Sequence, residues 1–202
     1  MADFDIRAKN WDEVPRRIER ANAVAAAIRE QVRLLPTMAA FEYGCGTGLL
    51  SFALQTDLGR ITLADSSSGM LDVLREKIAA SGIKNMTPLK LDLAVDPLPV
   101  QRFDLVVTLM TLHHIPDTAR ILQCFRSLLQ PGGVLCIVDL DREDGSFHAH
   151  ELAFDGHNGF DRAELSLMLS GLGFIDIRIK TCYETIKDGR SYPLFLAVAE
   201  KK

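Results

Sequence analysis

Three glycines spaced two apart, Gly44, Gly46 and Gly48, lie in the run Phe41-Glu42-Tyr43-Gly44-Cys45-Gly46-Thr47-Gly48, just after a short apolar segment. The run reads as a strand turning into a helix, and open parallel sheets bind ligands at the carboxyl ends of such strands. Glycine there admits positive φ and removes the Cβ atoms that would hold a ligand off the backbone. The spacing is GxGxG, whereas the dinucleotide fingerprint GxGxxG needs a glycine where Leu49 stands. Taken alone, the glycines also fit a tight turn without a ligand. Asp65 ends the next apolar run, where a carboxylate beside the glycine loop could accept both hydroxyls of a ribose. Its other reading is a helix cap, a task Ser66 or Ser67 could perform equally. Asp92, in Leu91-Asp92-Leu93, supplies a second acid at an equivalent height.

The histidines are the next candidates, because a hydroxyl or carbon-acid nucleophile benefits from a general base near pH 7. His113 and His114 follow the fourth apolar run, and His148, His150 and His157 fall in the polar stretch 139–160. That stretch is longer than an ordinary strand-to-helix loop and by position should cover a pocket. His114 is the first candidate to face a substrate, followed by His148 and His157; a packed structural histidine is the alternative for each. Asp139, Asp141, Glu143 and Asp144 carry the oxygen chemistry of a magnesium site. An acidic solvated loop is the commoner explanation, and no metal is expected.

Regular alternation of strand and helix signals must position these groups. Val14, Ile18, Ala21, Ala25, Ile28, Val32 and Leu35 recur at spacings of three and four, which predicts one long helix from near Asp12 to just before Pro36. Continuous apolar runs follow at 39–43, 60–64, 87–91, 103–109 and 134–140, the pattern of parallel strands covered on both faces. Between them, a stripe of Leu71, Leu74 and Ile78 stops at Gly82, and one of Ile121, Phe125 and Leu128 stops at Pro131-Gly132-Gly133. Asp161 with Glu164 three residues later has the form of a capping box opening a helix that ends at Gly171-Leu172-Gly173. Runs at 174–181 and 192–199 leave no room for a helix between them and predict a hairpin across Asp188-Gly189. The fold class expected is α/β, a Rossmann-like three-layer sandwich around a seven-stranded, mostly parallel sheet closed by a C-terminal antiparallel hairpin.

The 202 residues suit one domain, divided here into an N-terminal lid and helix (1–36), a cofactor-binding half (37–140) and a substrate-side loop, helix and hairpin (141–202). With 23 Lys plus Arg against 27 Asp plus Glu, the net charge of −4 argues against phosphate backbones as default partners, so no nucleic-acid partner is expected. No apolar run is long enough to span a membrane and the first residues are acidic, which predicts a cytoplasmic chain without a membrane partner, a monomer or homodimer. Cys45, Cys124, Cys136 and Cys182 lack a CxxC spacing and suit reduced thiols.

Taken together these motifs resemble the class I S-adenosylmethionine-dependent methyltransferases, specifically the small single-domain bacterial type. The resemblance covers about residues 8–200. It rests on 42–48, on Ala64-Asp65-Ser66-Ser67-Ser68-Gly69-Met70-Leu71, on Asp92, on Phe103-Asp104-Leu105-Val106-Val107 leading to Leu112-His113-His114-Ile115-Pro116, and on Leu128-Leu129-Gln130-Pro131-Gly132-Gly133. It implies S-adenosyl-L-methionine as cofactor, S-adenosyl-L-homocysteine as product and methyl transfer to a small-molecule acceptor at O, N, C or S. By the same resemblance, backbone at Gly44, Cys45 and Gly46 would hold the amino-acid end of the cofactor, with Glu42 ordering that loop or meeting the ammonium through water. Asp65 would bind the ribose diol, Met70 and Ser66 would flank the adenine, and Asp92 would accept from its amino group. Leu93 would donate its N–H to the ring, and Leu109 would approach the methionine chain through its carbonyl. Trp11, the single tryptophan, either closes over the cofactor or staples the first helix to the core. The loops that mark DNA amino-methyltransferases and protein-arginine methyltransferases are absent, which favours small acceptors. A cofactor-binding but catalytically silent regulator or scaffold is the alternative function; a nicotinamide oxidoreductase is disfavoured by Leu49 and by the lack of a Tyr-x-x-x-Lys motif.

Overall fold

A computed structural model describes residues 2–151 and 154–202; Met1, Leu152 and Ala153, which the single-domain reading includes, lie outside the described residues. The chain opens with a short helix, α1 (Ala2–Arg7), and a 3-10 turn (Ala8–Glu13), followed by α2 (Pro15–Gln31). Then come β1 (Ala40–Tyr43), α3 (Leu49–Leu54), β2 (Ile61–Asp65), α4 (Ser68–Ser81), β3 (Met86–Lys90) and β4 (Phe103–Leu109). A 3-10 turn (Leu112–His114) leads to α5 (Thr118–Leu128) and β5 (Leu129–Leu140). After a loop holding a third 3-10 turn (Ser146–His148), α6 (Arg162–Gly171), β6 (Phe174–Lys187) and β7 (Arg190–Lys201) complete the chain.

The seven strands lie in the order β3-β2-β1-β4-β5-β7-β6, with β1 to β5 mutually parallel and β7 antiparallel to both β5 and β6. The expected sheet and closing hairpin are therefore present. Alternation in the central strands sends neighbouring residues to opposite cores. Leu105, Val107, Cys136 and Val138 pack with Val24, Ile28, Leu50, Leu54 and Leu71 on one face. Val106, Leu135 and Ile137 pack with Ile121, Phe125, Leu165 and Leu169 on the other. Burial on both faces is why these strands read as continuous apolar runs. Asp188 and Gly189 both take positive φ, as a two-residue hairpin turn requires.

The N-terminal region departs from the sequence reading. In place of one helix from near Asp12 to Pro36, α2 begins at Pro15 and ends at Gln31. Proline fixes its own φ and pushes the preceding residue out of the helical region, so Val14 is extended and the chain bends there. The same constraint ahead of Pro36 keeps Leu35 outside the helix, where it is exposed along with Ile18. The face that packs is Ala21, Val24, Ala25 and Ile28. The capping box is also half formed: Asp161 accepts from the amides of Ala163 and Glu164 at 2.8 and 3.0 Å, while the Glu164 carboxylate pairs with Arg142.

Among the described residues no helix is long and apolar enough to cross a membrane.

Candidate functional site

The strand order reverses between β1 and β4, and the segments leaving those two strands meet. Gly44 lies so close to Thr111 that a Cβ at position 44 would fall 2.3 Å from the threonine side chain. Met110, between β4 and Thr111, holds a left-handed φ of 54°, a strained setting for a non-glycine residue and one that concentrates at functional turns.

Within the glycine loop the amides of all three glycines and of Cys45 are already engaged. The amides of Gly44 and Cys45 donate to the Ala64 carbonyl at 2.8 and 3.1 Å, and that of Gly48 to the Cys45 carbonyl at 2.8 Å. The Gly46 N–H donates to Asp65 Oδ2 at 2.7 Å. Asp65 Oδ1 accepts from the Ser67 amide at 2.8 Å, and Ser67 Oγ caps α4 by accepting from the Met70 amide at 3.1 Å. Capping thus falls to Ser67, leaving Asp65 as a strut between the two loops. Burial raises the Asp65 pKa, against the lowering effect of the Ser67 and Gly46 amides. Ser66 is half-buried beside it.

The other expected cofactor residues gather around this loop. A Cβ at Gly46 would sit 3.9 Å from Met70 Sδ and 4.0 Å from Trp11 Nε1, so these three face one another. Glu42 is buried and accepts from the Ser51 hydroxyl of α3; burial pushes its pKa up to about 7. Asp92 Oδ1 accepts from the Ala94 amide at 2.9 Å, and the Leu93 N–H donates to the Tyr43 hydroxyl at 3.2 Å. The Leu109 carbonyl accepts from Thr111 Oγ1 at 3.1 Å.

The N-terminal segment is pinned across these motifs by two aspartates that the sequence reading passed over. Asp5 Oδ1 accepts from Ser67 Oγ at 2.6 Å and from the Gly69 amide at 2.8 Å. These bonds, the serine first, hold the exposed Asp5 carboxyl below its ordinary pKa. Asp12 accepts from Thr47 Oγ1 at 2.6 Å and from Lys77 Nζ at 2.5 Å. Trp11 stacks under the Arg17 guanidinium, 3.7 Å from the ring centroid, so the chain's own cation already covers one indole face. Phe4 bridges onward, 5.9 Å from the Trp11 ring and edge-on to His114 at 5.4 Å.

On the acceptor side, three histidines converge. His113, His114 and His148 present ring nitrogens all within 4.8 Å of one another. His113 Nδ1 lies 2.5 Å from Asp139 Oδ1, and both side chains are buried. Asp139 also accepts from the Leu140 amide at 2.8 Å. Burial opposes its charge, but the His113 ring and these bonds outweigh it and keep the carboxyl below its usual pKa. An ionised Asp139 needs a proton on His113 Nδ1, and in the neutral ring of that tautomer Nε2 carries the lone pair. His114 is pushed down to about 3 by burial and then by its histidine neighbours, so it is neutral. His148 stacks on Phe154, with centroids 3.9 Å apart.

His157 does not join this group. Its Nε2 lies 3.0 Å from the Ile115 carbonyl and 3.0 Å from Thr118 Oγ1, and its backbone N–H donates to the His113 carbonyl at 2.7 Å. The four acids considered for magnesium separate: Asp139 to His113, Asp141 to Arg162 at 2.5 Å, Glu143 to Ser146 and the Phe147 amide, and Asp144 to Arg190 at 3.0 Å. The sequence did carry one signal for the Asp139–His113 pair, since a charge inside a buried apolar strand must find a partner.

Residues 41–135 match the model of a methyltransferase domain. The chain is 32% identical over 111 residues to a ubiquinone biosynthesis O-methyltransferase of Marinobacter nauticus, covering 54% of this chain and 46% of the relative. It is 33% identical over 137 residues to an uncharacterized methyltransferase of Schizosaccharomyces pombe, covering 61% and 48%. The chain thus spans about half the length of these relatives. Among solved structures, a SAM-dependent methyltransferase from Aquifex aeolicus superposes with a TM-score of 0.72 at 21% identity over 98% of both chains. The magnesium protoporphyrin IX methyltransferase of Synechocystis with bound SAH gives 0.69 at 20% identity, over 92% of this chain and 84% of that one. The sheet order β3-β2-β1-β4-β5-β7-β6 is thus one this chain shares in fold with solved methyltransferases, and residues 41–135, which carry the glycine loop, Asp65 and Asp92, are similar in sequence to a methyltransferase domain.

Proposed function

We propose that the chain transfers the methyl group of S-adenosylmethionine to a small-molecule acceptor and releases S-adenosylhomocysteine. The observation that carries this reading is the chemistry of the glycine loop. Its amides at 44, 45, 46 and 48 already donate within the protein, and its flank carries the carboxylates of Asp65 and Asp92. A pyrophosphate needs free N–H donors and would be repelled by both acids. Ribose hydroxyls, an adenine amine and an ammonium are donors that acids and carbonyls suit.

When bound, the cofactor supplies a methyl group already activated on a sulfonium sulfur, so the protein must mainly align the acceptor and exclude water. Gly44, Cys45 and Gly46 would hold the amino-acid end, with Glu42 behind them and the Leu109 carbonyl beside it. Asp65 would take the ribose, Ser66 and Met70 the adenine faces, and Asp92 the adenine amine. Leu93 would exchange its long bond to Tyr43 for the ring. Trp11, held by Arg17, would cover the loop through its Nε1 edge. The acceptor would sit beside His114 and His148, oriented by His113 and Asp139, while His157 braces the loop that carries them.

In this reading residues 1–36 act as lid and helix, 37–140 as the cofactor half and 141–202 as the acceptor side. The bonds from Asp5 and Asp12 to both cofactor loops support the lid assignment. The net charge of −4 supports the absence of a nucleic-acid partner, and in the same reading the chain is a cytoplasmic monomer or homodimer without a membrane partner. Calorimetry with S-adenosylhomocysteine tests the proposal: a micromolar Kd, about −8 kcal/mol, is expected, with no heat from NAD. Equal or tighter binding of NAD would overturn it.

A further inference from the structure

The histidine cluster has features that acceptor binding does not require. His113 Nε2 and His148 Nε2 are buried without a hydrogen-bond partner, while His148 Nδ1 faces a Glu151 oxygen at 3.1 Å. Buried polar atoms in native proteins are nearly always partnered, so orphaned nitrogens gathered in one place mark a missing ligand. Several neighbours are aromatic rings with no donor to offer: Phe154 stacked on His148, Phe4 edge-on to His114 and Phe147 at 5.0 Å from His148. These rings cannot serve the lone pair that each neutral imidazole carries, which leaves the cluster suited to a ligand that accepts lone pairs.

The carboxylate behind His113 narrows the choice. An imidazole whose Nδ1–H is held by a buried carboxylate has its tautomer and orientation set, with Nε2 forward; this is how metal-binding histidines are held. We propose that His113, His114 and His148 bind one divalent transition-metal ion, with zinc the best match to three neutral imidazoles and Asp139 the residue that positions His113. A tetrahedral ion with bonds of about 2.0–2.1 Å needs its donors roughly 3.4 Å apart. Closing the cluster from within 4.8 Å takes side-chain adjustments on the order of 1 Å. Three protein donors leave a fourth position for water or an acceptor oxygen. The four acids weighed for magnesium play no direct part as ligands, and the site does not rest on the methyl-transfer reading.

The test uses the full chain, stripped with a chelator and titrated with Zn²⁺ against a competing chromophoric chelator, without cofactor. One equivalent should bind with submicromolar affinity and raise the melting temperature, and Co²⁺ should give the visible absorption of a low-coordinate ion. His114→Gln and His148→Gln should each weaken binding at least 100-fold. Asp139→Asn should weaken it about 10–100-fold, the usual effect of losing such support. His150→Gln, on an exposed ring 3.7 Å from Asp188, should bind like the parent chain. His114 is only half-buried, so its variant keeps the test readable if a substitution deeper in the cluster unfolds the protein. Substoichiometric uptake by the parent chain would overturn the proposal. So would undiminished uptake in folded His114→Gln and His148→Gln, or uptake lost in His150→Gln. Because metal uptake is read without cofactor, failure here would leave the calorimetric result for S-adenosylhomocysteine standing.

Discussion

Asp65 Oδ2 accepts the Gly46 N–H at 2.7 Å, joining the end of β2 to the loop that leaves β1. The carboxylate therefore holds the glycine loop in shape as well as offering lone pairs to a ligand. Asp65→Ala should weaken S-adenosylhomocysteine binding by about 1–3 kcal/mol and speed amide exchange at Gly46. Asp65→Asn keeps a carbonyl acceptor, so exchange at Gly46 should stay near that of the parent chain while affinity falls by an intermediate amount. Unchanged affinity in a folded Asp65→Ala protein would place the ribose contact elsewhere.

Glu42 makes stability depend on pH. Its pKa is about 7 when folded, against an ordinary value of 4.5. Between those values the unfolded chain releases the proton that the folded chain keeps, so stability falls as pH rises through that window and levels off above it. The difference of 7 − 4.5 corresponds to about 3 kcal/mol. Glu42→Gln should flatten the profile, matching the parent near pH 4 and exceeding it near pH 8 in urea denaturation. A profile unchanged by the substitution would show that Glu42 ionises normally.

Trp11 is the only tryptophan and lies on the segment that crosses the glycine loop, so its emission reports on that segment alone. Asp5 has a lowered pKa, so the bonds it makes are present above the ordinary carboxylate range and are lost as pH falls through its folded value. Acidification should accordingly shift Trp11 emission before the global unfolding transition. Asp5→Ala combined with Asp12→Ala should produce the same shift at neutral pH. Emission that follows only global unfolding would mean that other contacts hold the segment.

Removing residues 1–12 should leave the fold intact, because α2 packs through Val24, Ala25 and Ile28, none of which contacts depends on the deleted residues for its helix start at Pro15. If residues 1–12 act as a lid, cofactor affinity should drop and turnover should be lost, since closure is one means of excluding water from a transfer. Full turnover in the truncated protein would remove the lid assignment.

The Asp139–His113 pair is buried, and truncating one side of such a pair strands the other. Asp139→Ala leaves His113 Nδ1 and the Leu140 amide without their acceptor, at an expected cost of about 3–5 kcal/mol in chemical denaturation. An effect below about 0.5 kcal/mol, typical of surface substitutions, would show that the pair is not a structural unit.

What the sequence determined by itself was whatever its short-range chemistry encodes. The apolar runs from 103–109 and 134–140 became β4 and part of β5, the stripe closed by Gly82 became α4, and Asp188-Gly189 became a hairpin turn, because periodicity and turn residues act over a few positions. The glycine loop, Asp65 and Asp92 were legible as candidates for ligand chemistry for the same reason: each lies at or just past the end of its own strand. Pro15 was visible too, yet the apolar period through Val14 and Ile18 argued for one continuous helix, and the steric demand of proline prevailed. The tertiary structure alone decided which side chains meet across long separations. Asp5 reaches Ser67 over 62 positions, Asp12 reaches Thr47 over 35, and Asp139 reaches His113 over 26. No local pattern carries such pairings, since they arise only when crossover connections bring the ends of different strands to one edge of the sheet. That is why His113, passed over in favour of His114, emerged as the histidine held by a buried carboxylate, and why His157 turned to brace a loop.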